Sequence, residues 1–201
     1  MLKLQVMGLP KLKTKLSVEG YLAGEKISPV KHEYVEGEVY AMAGASDKHN
    51  MIVGDIYAAL LIHLRDSNCQ PFFGDIKVRV TSKVYYYPDV LVSCEEHPED
   101  AHFRNSPILI IEVTSPSTAN IDRREKLLFY QQMPSVHEYA VVDQHKINIE
   151  LHRRQPNGSW ITYYFDREDT EIEFQSINLT MPISEIYRRV RFINNAQPNN
   201  E

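Results

Sequence analysis

Two acidic residues stand in parts of the sequence that are otherwise typical of buried β-strands, and both are candidates for chemistry. Glu112 directly follows the apolar run at residues 108–111, which predicts a strand buried on both faces. Asp89 interrupts a β-rich stretch at residues 84–94. Because an ionised carboxylate is costly to bury unless it is paired or bound to a metal, two such acids on neighbouring strands predict a site for a hard cation.

Phosphodiester hydrolysis is the chemistry that such a pair of acids suits. This reaction needs a nucleophilic water and stabilisation of the charge that develops on the phosphate, and divalent cations supply both. Magnesium takes oxygen ligands, usually only one or two protein carboxylates besides water and substrate phosphate. Asp89 and Glu112 fit that role for Mg²⁺ or Mn²⁺, and the backbone carbonyl of Val113 is a candidate further ligand.

A lysine is expected close to the two acids, where it would position the attacking water or stabilise the phosphate. In the commonest arrangement this lysine comes two residues after the glutamate, but here that position holds Thr114, which cannot carry the charge. Lys126, one turn into the next predicted helix, is the nearest candidate, because a helix packed beside the strand can aim it into the same site. The alternative for Lys126 is an ordinary solvated helix face.

Two upstream residues are further candidates for the same site. Glu33 lies in a predicted hairpin and would hold a second metal or a metal-bound water; alternatively, it is one exposed acid of a charged hairpin. His49 opens the first long predicted helix, three residues before Ile52, and is a candidate for phosphate contact or acid–base chemistry. A histidine at such a position is also typical of a structural or capping residue.

Two charged pairs allow both a functional and a structural interpretation. Arg123 and Arg124 are candidates for phosphate binding beside the site, and a solvated helix start is the alternative. Asp75 and Lys77 share a predicted strand face and mimic an Asp-x-Lys string, but the simpler hypothesis is a cross-strand ladder of ion pairs on the surface.

The predicted elements place helices and strands in an irregular order. Helices are predicted at about residues 18–24, 49–66, 123–132 and 184–191. Strands are predicted within 31–42 (a hairpin), 73–80, 84–94, 108–114, 138–143, 147–152, 160–165 and 172–174. This order predicts a mixed α/β fold, in which a central mixed sheet is flanked by helices and followed by an antiparallel C-terminal extension, rather than a series of βαβ units.

Length and composition describe an ordinary globular protein. The 201 residues predict a single domain at 14–192, preceded by a loose leader at 1–13 and followed by a disordered tail at 193–201. The net charge of −5 argues against tight, sequence-independent nucleic-acid binding without a metal. No apolar stretch approaches the roughly 20 residues of a membrane span, so a cytoplasmic protein is expected. Cys69 and Cys94 have no metal-binding spacing and are expected to be buried free thiols.

Six sequence strings, taken in order, resemble the Uma2 family of "putative restriction endonucleases". They are EYVEGE at 33–38, AGAS at 43–46 with His49, YPDV at 87–90, IEVTSPST at 111–118, Asp122 with Lys126 and Tyr130, and EYAVVD at 138–143. The resemblance runs from about residue 17 to residue 190. Each string alone is weak, whereas six in order at these spacings are specific.

That resemblance implies the restriction-endonuclease-like fold of the PD-(D/E)xK nuclease superfamily. It also implies divalent-metal hydrolysis of DNA phosphodiester bonds, and often a homodimer. Carried over by position, Asp89 matches the motif aspartate and Glu112 the motif glutamate. Lys126 matches the lysine that such families can place on the following helix, and Glu33 matches the upstream acid. Thr114 departs from the superfamily pattern, which has lysine there.

Two other functions stay open on the sequence. A catalytically weak or inactive nuclease fold that binds DNA or a protein partner would agree with the acidic balance and with Thr114. A cation-dependent hydrolase of another phosphoester or of a nucleotide would use the same acids. The tyrosine-rich runs at 85–87 and 163–165 are candidates for a dimer interface, and the alternating faces of a strand explain them equally well.

Overall fold

The structure, a computed structural model, describes residues 15–42, 44–114 and 121–192, the last range without the side chains of 121–123. The predicted leader, the predicted tail and the string at 115–118 lie outside these residues. The helices are α1 (Val18–Glu25), α2 (Asp47–His63), α3 (Leu127–Gln131) and α4 (Ile183–Ile186). A π-helical turn at Ile121–Lys126 leads directly into α3, and a 3₁₀ turn lies at Gln175–Ile177.

The strands form two large mixed sheets and a small ribbon. They are β1 (His32–Val35), β2 (Glu38–Ala41), β3 (Gln70–Phe73), β4 (Lys77–Thr81), β5 (Val84–Tyr86), β6 (Val90–Ser93), β7 (Phe103–Arg104), β8 (Pro107–Thr114), β9 (Glu138–Asp143), β10 (Ile149–Arg154), β11 (Trp160–Phe165), β12 (Glu171–Phe174) and β13 (Leu179–Pro182). One sheet has the order β11-β10-β9-β8-β6-β3, the second has the order β2-β1-β5-β4-β7, and β12 pairs with β13. Strands β8 and β9 are parallel, whereas β6 and β8 are antiparallel.

Strand β8 is the centre of the fold because its apolar residues pack on both faces. Leu109 and Ile111 belong to the core cluster that contains the inner face of α2, which Ile52 and Ile56 represent. Ile110, between them, belongs to the opposite cluster with Tyr130 of α3. This double burial explains why β8 has a continuous apolar run rather than an alternating pattern. None of the helices in the described ranges is long and apolar enough to cross a membrane.

Two stretches predicted as single strands are each divided in the structure. Residues 84–94 form β5 in the second sheet and β6 in the first, with Pro88 in the break between them. Proline has no backbone N–H for a central ladder, so a strand that contains it is interrupted there. Residues 73–80 divide at Gly74, whose φ of 70° suits a turn and not a strand. The predicted helix at 184–191 is shorter, because α4 covers only Ile183–Ile186.

The prediction of free cysteine thiols is wrong, since Cys69 and Cys94 form a disulfide. Strands β3 and β6 pair antiparallel, with Gln70 opposite Ser93. The two cysteines come one residue before β3 and one residue after β6, so this register places them opposite each other. The sequence alone does not reveal which strand pairs with β3, and for that reason the spacing of the cysteines was uninformative.

Glu138, at the start of β9, is a buried acid that ties the C-terminal segment to the main sheet. Its side chain accepts hydrogen bonds from the guanidinium of Arg153 at 2.8 Å and from the backbone N–H groups of Gln175 and Ser176. Only 1% of Glu138 is exposed. Removing one partner of a buried charged pair leaves the other charge uncompensated.

We therefore expect Glu138→Ala to lower the free energy of unfolding by about 3–5 kcal/mol. Urea unfolding followed by circular dichroism measures this loss. Glu173→Ala is the matched control, because Glu173 is an exposed acid of the neighbouring β12. Equal stability of the two variants would contradict the anchoring role of Glu138.

Candidate active site

The pairing of β6 with β8 brings Asp89 and Glu112 to the same end of the first sheet. Val90 pairs with Ile111 in antiparallel register, so the next residues outward along the two strands are Asp89 and Glu112. The Asp89 Oδ2 accepts a hydrogen bond of 2.7 Å from the backbone N–H of Val113. That bond fixes the Asp89 carboxylate against the Glu112–Val113 segment of β8.

His49 lies against the other oxygen of the Asp89 carboxylate. Its Nε2 is 3.1 Å from Asp89 Oδ1, and both side chains are mostly buried. The first turn of α2 holds His49 in place, because the side chain of Ser46 caps this helix by accepting the His49 backbone N–H at 3.1 Å. The structure therefore brings the predicted His49 to the predicted Asp89.

Lys126 lies between two acids in the interior of the protein. Its Nζ is 3.0 Å from Glu112 Oε1 and 2.9 Å from Glu33 Oε1. The hydroxyl of Tyr130, one turn further along, is 3.4 Å from the same Glu112 oxygen. The side chain of Lys126 is only 7% exposed, so it does not lie on a solvated helix face.

The π-helical turn at Ile121–Lys126 delivers Lys126 to this position. Wide helical turns of this type occur often at functional sites, because they displace side chains from the regular helical spacing. The Lys126 ammonium lies 5.4 Å from the centre of the Tyr86 ring. Burial, together with the charge of Glu125, raises the pKa of the Tyr86 phenol, which stays neutral and donates a hydrogen bond of 3.0 Å to Glu125.

Glu33 reaches the site from the second sheet. It lies on β1, and its Oε1 accepts the backbone N–H of Tyr87 at 3.3 Å. Tyr87 directly follows β5, in the break between β5 and β6, so the acids meet where the two sheets adjoin. Glu33 is largely buried, with 15% of its side chain exposed, and is not an exposed acid of a charged hairpin.

The group carries more negative than positive charge, which favours a bound cation. Asp89, Glu112 and Glu33 are three acids, whereas Lys126 is the ammonium that lies between two of them. No group of three or more histidine, cysteine, aspartate or glutamate residues is placed to hold a metal ion by itself in the described part of the chain. Carboxylate oxygens such as those of Asp89 and Glu112 are the ligand type that Mg²⁺ and Mn²⁺ prefer, with only one or two from the protein and the rest from water and substrate phosphate.

The remaining predicted residues are less closely connected to this group. Arg124 is exposed, and the side chain of Arg123 lies outside the described residues. Thr114 is buried, and its hydroxyl is 3.4 Å from the carbonyl of Val142 on the neighbouring strand. Thr114 therefore contacts the sheet rather than standing in for a lysine.

Sequence reasoning missed one residue that supports the site. The amide of Gln144 donates to the carbonyl of Thr114 at 2.9 Å and contacts the hydroxyl of Ser46. It thereby ties the end of β8 to the start of α2, the helix that carries His49. The signal was absent from the sequence, because Gln144 lies in a loop 98 residues from Ser46.

Comparison with known proteins identifies relatives along most of the chain. Residues 18–184 match the model of the Uma2 family, which is described as "Putative restriction endonuclease". An uncharacterised protein of Synechocystis sp. is 33% identical over 180 residues, an alignment that covers 89% of this chain and 94% of that protein. A second uncharacterised protein of the same organism is 30% identical over 168 residues, with 82% and 95% covered.

A solved structure has the same fold. It is the crystal structure of "a putative nuclease belonging to DUF820" from Anabaena variabilis, with a TM-score of 0.70 and 18% sequence identity. The match covers 86% of this chain and 98% of that one. The mixed α/β fold predicted from the sequence is confirmed, and so is the family that the six strings resemble. This chain belongs to the Uma2 family.

Proposed function

We propose that this protein is a divalent-metal-dependent DNA endonuclease that hydrolyses phosphodiester bonds. The observation that carries the proposal is the buried cluster in which Lys126 contacts Glu112 and Glu33, beside an Asp89 that is held against the same strand. A buried lysine between two acids next to a third is an arrangement that phosphoryl chemistry needs and that a core has little reason to build. Family membership supports the same activity.

The proposal gives each residue a definite role. Asp89 and Glu112, with the carbonyl of Val113, would hold Mg²⁺ or Mn²⁺. The bound ion would supply Lewis-acid stabilisation of the phosphate and lower the pKa of a water molecule. Lys126 donates a hydrogen bond to the attacking water or to a phosphate oxygen, which replaces one of its present contacts with Glu112 and Glu33.

The other residues orient these groups or bind the substrate. Glu33 pairs with Lys126 and accepts a proton or a hydrogen bond from the attacking water. His49 fixes the Asp89 carboxylate, and with the exposed Arg124 and with Arg123 it would contact phosphates of the DNA backbone.

The proposal includes a homodimer that acts on DNA in the cytoplasm. Strand β11 supports the dimer, because it is an edge strand of the first sheet without charged residues, and Ile161 and Tyr164 are exposed on it. The cytoplasm is proposed because DNA is the proposed substrate. The Cys69–Cys94 disulfide is not an argument for that compartment, since cytosolic proteins rarely keep such a bond.

The direct test incubates the purified protein with supercoiled plasmid and millimolar Mg²⁺ or Mn²⁺, with a parallel sample in EDTA. The expected result is conversion to nicked and linear DNA in the metal samples alone. A substrate panel with mononucleotide phosphoesters is run beside it. Plasmid that stays supercoiled but is retained by the protein would replace the proposal with the DNA-binding module, and turnover of mononucleotides alone would replace it with a nucleotide hydrolase.

Among the supporting residues, His49 allows a graded test. We expect His49→Asn to slow plasmid cleavage about 10–100-fold, because partners that orient a metal-binding carboxylate typically have effects of this size. His97→Asn is the control, since His97 is an exposed histidine in the loop after β6, whereas Asp89 precedes that strand. Equal cleavage rates in both variants would show that the contact between His49 and Asp89 plays no part in the reaction.

A further inference from the structure

A cavity lies beside the second sheet, next to α1, and none of the residues proposed to bind the metal lines it. Its volume is about 540 Å³, which is within the usual range for small-molecule sites. Its lining includes Glu25, Lys31, Lys77, Tyr87, His102 and Phe103. The cavity is therefore large enough for a ligand the size of a mononucleotide.

Lys77 is the unusual residue of this cavity. The residue is 5% exposed, so the predicted surface ladder of Asp75 and Lys77 is wrong. Asp75 lies outside the strands and pairs instead with Lys31. In the described ranges, the side chain of Lys77 makes one hydrogen bond, of 3.1 Å, to the hydroxyl of Tyr87. An ammonium has three donors, so a buried lysine with one hydrogen-bond partner has capacity for an acceptor from a ligand.

The electrostatic position of Lys77 agrees with a need for an anion. Burial lowers the pKa of the Lys77 ammonium, and the more distant charges of Glu25 and Asp100 only partly offset that effect. Its nearest aromatic neighbour is the ring of Tyr87, whose centre lies 5.0 Å from Nζ. Neither Glu25 nor Asp100 places its carboxylate within ion-pair distance of the Lys77 ammonium. A buried charge without such a partner is costly.

The acids of the cavity are already engaged with other groups. Glu25 accepts the hydroxyl of Tyr87 at 2.9 Å and lies 2.9 Å from a ring nitrogen of His32. Asp100 accepts the backbone N–H of His102 at 2.7 Å. Asp75 pairs with Lys31, as described above. These contacts show that the acids of the lining already have partners of their own, whereas Lys77 has only the Tyr87 hydroxyl in the described ranges.

We propose that this cavity binds a ligand with a phosphate group, with Lys77 donating to the phosphate oxygens. Lys26 and Lys31 also line the cavity, so it collects three lysines without an arginine. Lysine binds phosphate as a point charge, so lysines around one cavity suit a phosphate group. Phe103 and Leu22 add apolar walls for the rest of the ligand. The proposal holds whether or not the protein cleaves DNA.

The phosphate group can come from two sources, which the experiment separates. The probes are inorganic phosphate, adenosine monophosphate, and a short DNA oligonucleotide with either a 5′-phosphate or a 5′-hydroxyl. Each is titrated into the full chain without divalent metal, at constant ionic strength, while the melting temperature and the amide NMR shifts are followed. We expect a rise in melting temperature and shifts that cluster around β4 and Tyr87.

Lys77→Met is the test variant and Lys83→Met is its matched control. Methionine is similar in length to lysine and apolar, so the replacement of a buried lysine is expected to leave the fold intact. Lys83 is an exposed lysine in the turn between β4 and β5. The expected result is loss of the phosphate response in Lys77→Met and its full retention in Lys83→Met.

Each outcome decides the proposal. A response of the wild type to the 5′-phosphorylated oligonucleotide that is lost in Lys77→Met supports the site. If neither the wild type nor Lys77→Met responds to the 5′-hydroxyl form, the source of the phosphate is a DNA end. If the wild type responds only to phosphate and adenosine monophosphate, and Lys77→Met loses that response, the site is supported with a free nucleotide as the source. An unchanged response in Lys77→Met, or NMR shifts of the wild type that avoid β4 and Tyr87, overturns the proposal.

Discussion

Asp89→Asn and Glu112→Gln are each expected to slow metal-dependent plasmid cleavage by about 10³-fold or more, which corresponds to roughly 4 kcal/mol of lost transition-state stabilisation. Each substitution removes one negative charge while it keeps the size of the side chain. Asparagine at position 89 can still accept the N–H of Val113, and glutamine at position 112 can still face Lys126. The measurement is the initial rate of nicking at a fixed Mg²⁺ concentration.

The control for both variants is Glu96→Gln, because Glu96 is an exposed acid in the loop after β6. Circular dichroism spectra and melting temperatures of all three variants verify that the fold is intact. Cleavage at the wild-type rate by folded Asp89→Asn and Glu112→Gln would contradict the assignment of these acids to the reaction.

Lys126→Met is expected to affect stability and activity together. Without the ammonium, the carboxylates of Glu33 and Glu112 lie close to each other in a buried site with no cation between them. We expect the free energy of unfolding at neutral pH to fall by about 3–5 kcal/mol, which is typical for a broken buried ion pair. Plasmid cleavage is expected to fall at least about 10²-fold, as for the loss of a general acid–base or phosphate-binding group.

A metal titration distinguishes this effect from simple damage to the core. Because Mg²⁺ can neutralise the same acids, its addition is expected to raise the melting temperature of Lys126→Met more than that of the wild type. Lys146→Met, which removes an exposed lysine, provides the baseline for stability and for cleavage. A Lys126→Met protein as stable as that control would mean that Lys126 does not hold the two acids together.

Asp89 and Glu112 could be predicted from the sequence because they are charged residues within stretches that are otherwise apolar and typical of strands. Glu112 follows the apolar run of a strand that packs on both faces, where an ionised carboxylate is costly without a partner or a metal. Lys126 could be named as a candidate, but its burial depends on the π-helical turn, which no spacing rule predicts. The contact between Glu33 and Lys126 depends on how two sheets meet, which is a property of the whole fold.

The errors at the sequence level have the same physical origin. Residues typical of strands lie on both sides of Pro88 within 84–94, so the stretch looks like one strand although the chain passes from one sheet to the other. The disulfide and the buried Lys77 also follow from strand neighbours that are distant in sequence. Local periodicity reports which residues are apolar, whereas the partner of each strand is decided by packing.

Anomalous scattering from a crystal soaked in millimolar Mn²⁺ tests the central claim most directly. The account predicts a manganese peak bounded by the carboxylates of Asp89 and Glu112, with Lys126 beside it, and no such peak in a crystal of Asp89→Asn. Crystals in which these carboxylates stay without manganese, while other acids of the same molecule bind it, would contradict the account.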